Sequence, residues 1–551
     1  MQKPKPAHRK SSQRNLALFI LVVVGLSGCT DMESAMNSNR VNEATTVQGI
    51  LQGTWSDSDP DIGVFRGVPY AQPPIGDLRW RAPKELESWT GVRQATKFGS
   101  ACWQAFGNDK FVWGRGEFPR SEDCLHLNIW QPEKSNTSAP VMVWFHGGAH
   151  TGGRAQVEVF DGTELARKGV IVVTVNYRLG PLGFLAHPAL AQESEHNSSG
   201  NYGLMDKISA LKWVQENIQA FGGDANNVTI FGQSAGSSSV CALMASPLTS
   251  GLFHKAIGQS AACLIKEKRD ANGQERGTRL AQLALGSNAE DVGVEVTAAD
   301  LRGIDNQSLI TAMQTSDWSA ASRIVIDGWV LPKAPADVFA ADEHIKIPLL
   351  VGSLANEGHE LIPVNESFTA ADLDNYLTKA FADSAPELKA LYAKELAISP
   401  GMVQREIFTD SYMALSMRSW AAFNHRGDQP TYLYYMDYVP PAYQIYLFND
   451  PDLGLPGGPR SAGAYHSGDL AYVFNNVGKT GDFWLDQDFA MAQTMSTYWT
   501  NFAKTGNPNG SSVPNWPAYS PQNHQTQLLS DKVSTIEGAK RKKLDLLATR
   551  R

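Results

Sequence analysis

The sequence predicts an α/β fold: a mostly parallel central sheet with helices on both faces. Three short apolar runs, Val141–Phe145, Val170–Val175 and Val228–Phe231, have the length and composition of strands buried on both sides. Between the second and third, the stretch Met205–Phe221 carries Ile208, Leu211, Val214 and Ile218 at helical spacing. Strands that alternate with helices are the pattern of a parallel sheet sandwiched between helical layers.

Each part of the chain fits that layout. From Val47 it opens with short β-prone runs broken by Gly and Pro, among them Gly63–Gly67. Two stretches with helical polar patterns, from about Lys266 to Ala321 and from Ala370 to His425, read as helical insertions over the sheet. No Gly/Ser/Pro linker separates them, so residues 47–551 read as a single catalytic domain.

The N-terminus carries an address. Lys3, Lys5, Arg9, Lys10 and Arg14 precede the apolar run Leu16–Val24, which is too short to span a bilayer as a helix. It ends in Leu26-Ser27-Gly28-Cys29, which resembles the lipobox of bacterial lipoproteins. That resemblance implies a signal peptide over 1–28, cleavage before Cys29, lipid attachment to its thiol and hence membrane attachment. Thr30 beside the cysteine, rather than aspartate, favours the outer membrane; a plain secretory signal with a periplasmic or secreted product is the alternative. Residues 29–46 are polar without periodicity and read as a flexible tether.

The whole chain has a net charge of −8, and loss of the basic signal takes it to about −13. So acidic a surface, without a basic cluster, excludes nucleic acid as a partner. Export permits disulfides, and Cys102, Cys124, Cys241 and Cys263 allow three pairings. No Cys or His cluster has metal-ligand spacing, and no cofactor is expected.

The chemistry is concentrated after two of the strands. Gly232-Gln233-Ser234-Ala235-Gly236 follows Val228–Phe231 directly and leads into a helical stretch. A tight strand-to-helix turn exposes the central serine at the carboxyl end of the sheet, beside a helix N-terminus that favours negative charge. The same five letters also occur as an ordinary Gly-rich turn whose serine caps a helix; the placement between strand and helix argues for the nucleophile. A second element, His146-Gly147-Gly148-Ala149, follows Val141–Phe145, with Gly152 and Gly153 beyond. Small residues there leave backbone N–H groups bare for an oxyanion, each such donor being worth about 3–4 kcal/mol in the transition state.

These residues resemble the type-B carboxylesterase family, which includes cholinesterases and bacterial carboxylesterases. The likeness runs from about Gly53 to Tyr519. It includes Phe65–Ala71, Leu78-Arg79-Trp80, Ser121-Glu122-Asp123-Cys124-Leu125, Val175–Arg178, Gly200–Gly203, Phe221–Asp224 and Trp499–Asn509. It implies the α/β-hydrolase fold and hydrolysis of carboxylic esters through an acyl-enzyme, with a small-molecule ester as the partner. Ser234 would be the nucleophile, and the N–H groups of Gly148, Ala149 and Ala235 the oxyanion hole. Glu357 in Gly352–Gly358 would be the acid, and His466 in Ala464–Leu470 the base. His359, Glu360 and Asp469 are the local rivals for these roles. The family's pattern also implies a Cys102–Cys124 disulfide, whose loop holds Trp103, Phe106, Phe111, Trp113 and Phe118, read either as an aromatic wall for bulky esters or as packing. Cys241 and Cys263 do not match the family's usual second bridge and read as paired thiols or a private disulfide. Arg79 and Glu122 are expected to form a structural ion pair.

Two departures stand out. Gln233 replaces the family's usual glutamate, removing a negative charge beside the nucleophile, and His150 replaces an aromatic, adding a titratable group near the site. Both argue against cationic substrates, and neither is expected to affect the basic activity much. An amidase, carbamate or polyester-chain hydrolase with the same residues is the enzymatic alternative. A non-catalytic cholinesterase-like surface-binding protein is the other, and the intact Ser, Glu and His argue against it.

Overall fold

The computed structural model describes residues 41–105, 113, 118–133, 137–264, 273–286, 296–316, 318, 324–362, 367–442, 458–479 and 483–549. The signal segment, Cys29, the start of the tether, Phe106 and Phe111 lie outside the described residues.

The folded chain begins earlier than the sequence reading placed it. Glu43–Thr45 pairs antiparallel with Ile50–Gln52, which pairs parallel with Val92–Gln94. Asn42 and Ala44 are buried, and Asn42 Nδ2 donates to Thr54 O at 2.8 Å. The segment Asn42–Thr46 is therefore no tether. A strand of three residues is defined by its backbone pairing, and so short an element shows no side-chain period to read.

Among the described residues one sheet of eleven strands dominates. We number its strands β1 (Thr54–Ser56), β2 (Asp59–Pro69), β3 (His126–Gln131), β4 (Ala139–Phe145), β5 (Ile171–Val175), β6 (Gly223–Gln233), β7 (Lys255–Gln259), β8 (Leu349–Leu354), β9 (Thr431–Met436), β10 (Gln525–Leu529) and β11 (Ser534–Glu537). Their spatial order is β1-β2-β3-β5-β4-β6-β7-β8-β9-β10-β11. From β5 to β10 every neighbouring pair is parallel, and the pairs toward both edges are antiparallel.

The alternation along each strand sorts the core into two layers. Val141, Val143, Phe145, Val173, Ile230 and Val351 belong to one apolar cluster, with the helices α1 (Tyr202–Asn217) and α2 (Ala235–Ala245). Met142, Trp144, Val172, Phe231, Leu350 and Tyr434 face the other cluster, under the helix α3 (Asp486–Thr505). Burial on both faces explains why these strands read as unbroken apolar runs. Each such side chain contributes about 1.5–3 kcal/mol on burial. Helix α1 starts three residues before the predicted Met205 and ends in a 3₁₀ turn over Ile218–Phe221; the predicted face of Ile208, Leu211, Val214 and Ile218 is buried.

The insertions are helical where described: Gln274–Ala284, Ala298–Gly303 and Asn306–Thr315 in the first, and Ala370–Phe381, Ala385–Leu391, Pro400–Phe408 and Leu415–His425 in the second. The second packs a separate small core with the C-terminal helix through Leu373, Leu388, Tyr392, Leu544 and Leu547.

Register aligns the carboxyl ends of the central strands. Gly232 pairs with Phe145, Gln233 with Gln259, and Gln259 with Gly352. The loops after β4, β6, β7 and β8 therefore leave the sheet side by side, where ligands bind in open α/β sheets.

Candidate active site

Ser234 stands between β6 and α2 with φ 56° and ψ −125°. For a residue with a Cβ this backbone is strained, and it persists only where the surroundings enforce it. Ser234 N donates to Gln259 O at 2.9 Å, and Ser238 N donates to Ser234 O at 2.9 Å. The flanking glycines are steric requirements. A Cβ on Gly236 would run into the Phe145 carbonyl, and one on Gly232 would come within 2.8 Å of the same oxygen. The turn is thus wedged against the end of β4, and Ala235 N, in the first turn of α2, has no intrahelical acceptor.

The loop after β4 supplies the facing backbone. Gly148 has φ 102°, Ala149 φ 54° and His150 φ 58°. Among the described residues the N–H groups of Gly148 and Ala149 donate to nothing within the chain. The turn is braced from behind: Tyr177 Oη donates to His146 O at 2.7 Å, the two rings stack at 4.4 Å, and His146 Nδ1 donates to Gly147 O at 2.8 Å. Burial pushes the His146 pKa down to about 3, so the ring is neutral and serves as a rigid prop.

The candidate acid and base come from loops far apart in sequence. Glu357 is fully buried; its Oε1 accepts from Leu354 N at 2.8 Å and its Oε2 meets His466 Nδ1 at 2.5 Å. The preceding residues of both loops pair with each other. Asn356 and Tyr465 form a parallel β-bridge, Asn356 N donates to Ala464 O at 2.9 Å, and Ala464 N donates to Asn356 Oδ1 at 3.0 Å. Behind Glu357, Gly358 N donates to Thr409 Oγ1 at 2.9 Å, in the π-helical turn Thr409–Ala414. On His466, burial lowers the pKa, but the Glu357 hydrogen bond and the charges of Glu357, Glu360 and Asp469 raise it by more.

Such an assembly, with a strained serine, bare N–H donors and a buried carboxylate–imidazole pair at one sheet end, has the parts of acyl-transfer chemistry. Residues 40–547 match the carboxylesterase family. The chain belongs to that family. This carboxylesterase is 36% identical over 491 residues to fumonisin B1 esterase of Sphingopyxis macrogoltabida, covering 86% of this chain and 84% of that one. It is 35% identical over 515 residues to para-nitrobenzyl esterase of Bacillus subtilis (strain 168), covering 91% and 98%. A solved PNB esterase structure superposes with a TM-score of 0.75 at 31% identity, covering 92% of this chain and 99% of that one. The carboxylesterase is accordingly a serine hydrolase acting on ester bonds, with the α/β-hydrolase fold.

The rivals for the acid and base roles make other contacts. His359 turns away, its Nδ1 on Ala462 O at 3.0 Å and its Nε2 3.4 Å from Glu406. Glu360 accepts from Ser467 Oγ at 3.4 Å. Asp469 is fully buried behind the pair, accepting from Gln259 Nε2 at 2.8 Å and Tyr434 Oη at 3.1 Å. Burial first, and then the nearby Glu357 charge, push its pKa up to about 6.

Both departures from the family pattern are buried. The ring of His150 is buried against Phe184, with Nε2 3.0 Å from Ser239 Oγ on α2. Gln233 does more than remove a charge: its Nε2 lies 3.1 Å from His466 Nε2. Sequence reasoning also missed Asn356, and it missed the role of Trp113, whose indole donates to Ser467 O at 3.1 Å next to the base.

Cys102 is bonded to Cys124, and Cys241 to Cys263, so the second pair is a disulfide. In the loop-entropy description each bridge is worth roughly 3 kcal/mol. The described aromatics of the first disulfide loop are engaged in packing: Trp113 is buried, Arg120 covers Trp103, and Arg154 covers Phe118. Arg79 and Glu122 form the expected ion pair, in bidentate geometry with Nε to Oε2 at 2.7 Å, and Arg79 also donates to Ile304 O at 2.6 Å.

Proposed function

We propose that the chain hydrolyses neutral carboxylic esters through an acyl-enzyme formed on Ser234. The observation that carries this reading is the buried Glu357–His466 contact of 2.5 Å at the sheet end where Ser234 is held with φ 56°. Glu357 accepts only, so it fixes the imidazole proton on Nδ1 and leaves Nε2 bare to act as base. His466 then takes the Ser234 proton as Oγ bonds to the ester carbonyl carbon, and the carbonyl electron pair moves onto oxygen. The N–H groups of Gly148 and Ala149, which donate to no other group among the described residues, and Ala235 N would receive that oxyanion. Collapse expels the alcohol, which takes its proton from Nε2, and water repeats the sequence to release the acid.

The uncharged Gln233 favours neutral over cationic esters. The names of the relatives, among them fumonisin B1 esterase and the human cocaine esterase, support bulky esters as the class to test first. The two disulfides suit an exported protein, and Leu26-Ser27-Gly28-Cys29 supports lipid attachment at Cys29. A fluorophosphonate probe is expected to label the full chain in the membrane fraction, and Ser234→Ala to abolish labelling and aryl-ester hydrolysis. Labelling that survives in Ser234→Ala removes the serine from its role, and labelled protein confined to the soluble fraction removes the anchor.

A further inference from the structure

Gln233 is the last residue of β6 and is 1% exposed. Its carboxamide is held between two parts of the machinery. The amide end faces Nε2 of His466 at 3.1 Å, while the oxygen end lies beside the oxyanion turn, where a Cβ on Gly147 would come within 2.9 Å of Oε1. Ser234 Oγ makes no hydrogen bond to His466 among the described residues. With the imidazole proton held on Nδ1 by Glu357, Nε2 is an acceptor, and an amide N–H facing it is attractive. On the imidazolium the same arrangement would set N–H against N–H.

We propose that Gln233 is a positioning residue for the base: in the resting enzyme its amide donates to Nε2 of His466 and keeps the ring neutral with that nitrogen bare, yielding the place to the Ser234 hydroxyl when ester binds. After Ser234 has passed its proton to Nε2, the carboxamide turns over and Oε1 accepts from the new Nε2–H. Gly147, lacking a side chain, leaves the room for that turn. One amide thereby serves both protonation states, whereas a glutamate at 233 would favour only the charged ring. The distinction matters here because the charged groups acting on His466, namely Glu357, Glu360 and Asp469, are all acidic and already favour the imidazolium. A fourth carboxylate would push the base further toward its inactive, protonated form.

This inference rests on the acyl-enzyme reading above, and its test separates the two. The pH dependence of kcat/KM on a neutral aryl ester is measured for the full chain, Gln233→Glu and Gln233→Met, with fluorophosphonate labelling of each. In Gln233→Glu the acid limb is expected to move up by about one pH unit, which is about a tenfold loss on that limb. In Gln233→Met, uncharged and similar in length, kcat is expected to fall about tenfold with KM little changed, because both ends of the amide are lost. An unmoved acid limb in a folded Gln233→Glu, or an unaltered kcat in Gln233→Met, overturns the proposal. Should the glutamate variant fail to fold, the kcat of the methionine variant decides. A wild-type chain that neither labels nor hydrolyses ester defeats the acyl-enzyme reading instead.

Discussion

The candidate nucleophile turn and the candidate base loop are built in opposite ways. Ser234 is positioned by its own neighbours: two glycines, a strand before it and a helix after it, with Phe145 as the wall. His466 is positioned by residues distant in the chain: Glu357 on its Nδ1, Gln233 on its Nε2, Asn356 bridging to Tyr465, and Trp113 on the carbonyl of Ser467. The first site is rigid because its backbone has no room. The second is rigid because several weak contacts converge on it. The turn should therefore fail to a single methyl group placed within it, and the base loop to changes made far from it.

The largest effect is expected from Gly236→Ala. The added Cβ would meet the Phe145 carbonyl oxygen, with Phe145 C at 2.8 Å and His146 O at 2.9 Å behind it. All three are backbone atoms at the end of β4 and the start of the loop after it, so none can swing aside. Relief must come from moving α2 or the turn, and an ångström of misplacement costs about 10²-fold in rate. We expect kcat to drop by about 10²-fold or more, with about 1–3 kcal/mol lost in urea unfolding from overpacking. Near-normal kcat in this variant would mean that the turn is softer than its packing suggests, and the contrast with the base loop would dissolve.

A smaller effect is expected at Asn356, which never touches the serine. Its Oδ1 accepts from Ala464 N at 3.0 Å and its Nδ2 donates to Glu406 Oε1 at 3.2 Å. Asn356→Ala leaves the backbone bridge but strands a part-buried N–H, at a cost of about 1–3 kcal/mol. We expect kcat and the rate of fluorophosphonate labelling to fall together, by about tenfold, since both depend on the base. A loss of stability with unchanged labelling would show that the backbone bridge alone places His466.

The same contrast explains what could be read before the fold was known. Ser234, Gly148 and Ala149 sit in short contiguous patterns whose physical reason is local, and the alternating apolar runs told strand from helix. Glu357 and His466 were legible only through a family resemblance, because nothing in either loop points to the other. Gln233 was visible as a departure, but its contact with His466 joins residues 233 apart in sequence. Asn356 and Trp113 carried no signal, since an Asn in a loop and a Trp in an aromatic segment have many uses. The strand at Glu43–Thr45 was missed because three residues are too few for a period.

The mildest change in turnover, and the clearest in pH dependence, is expected from Asp469→Asn. Asp469 sits near the end of the base loop, hydrogen-bonded to Gln259 and Tyr434, and its pKa is pushed up to about 6 from the usual 3.8. A carboxyl whose folded pKa lies above its unfolded one stabilises the fold while protonated. Its contribution is present in full below about pH 4 and is lost as pH rises through about 6. A shift of this size corresponds to about 3 kcal/mol between those limits. Asparagine keeps an oxygen for Gln259 Nε2 and Tyr434 Oη but cannot ionise. The variant should therefore gain stability over the wild type, by up to about 3 kcal/mol, as pH rises from 4 to 8, measured as the difference between their urea unfolding free energies at each pH. Its kcat should stay within a few-fold. Its acid limb should move down by less than a pH unit, because one of the charges that raise the His466 pKa is gone. A difference in stability that does not vary with pH would mean that Asp469 ionises freely where it sits. The base loop would then owe its position to Glu357, Gln233, Asn356 and Trp113, without a neutral acid behind it.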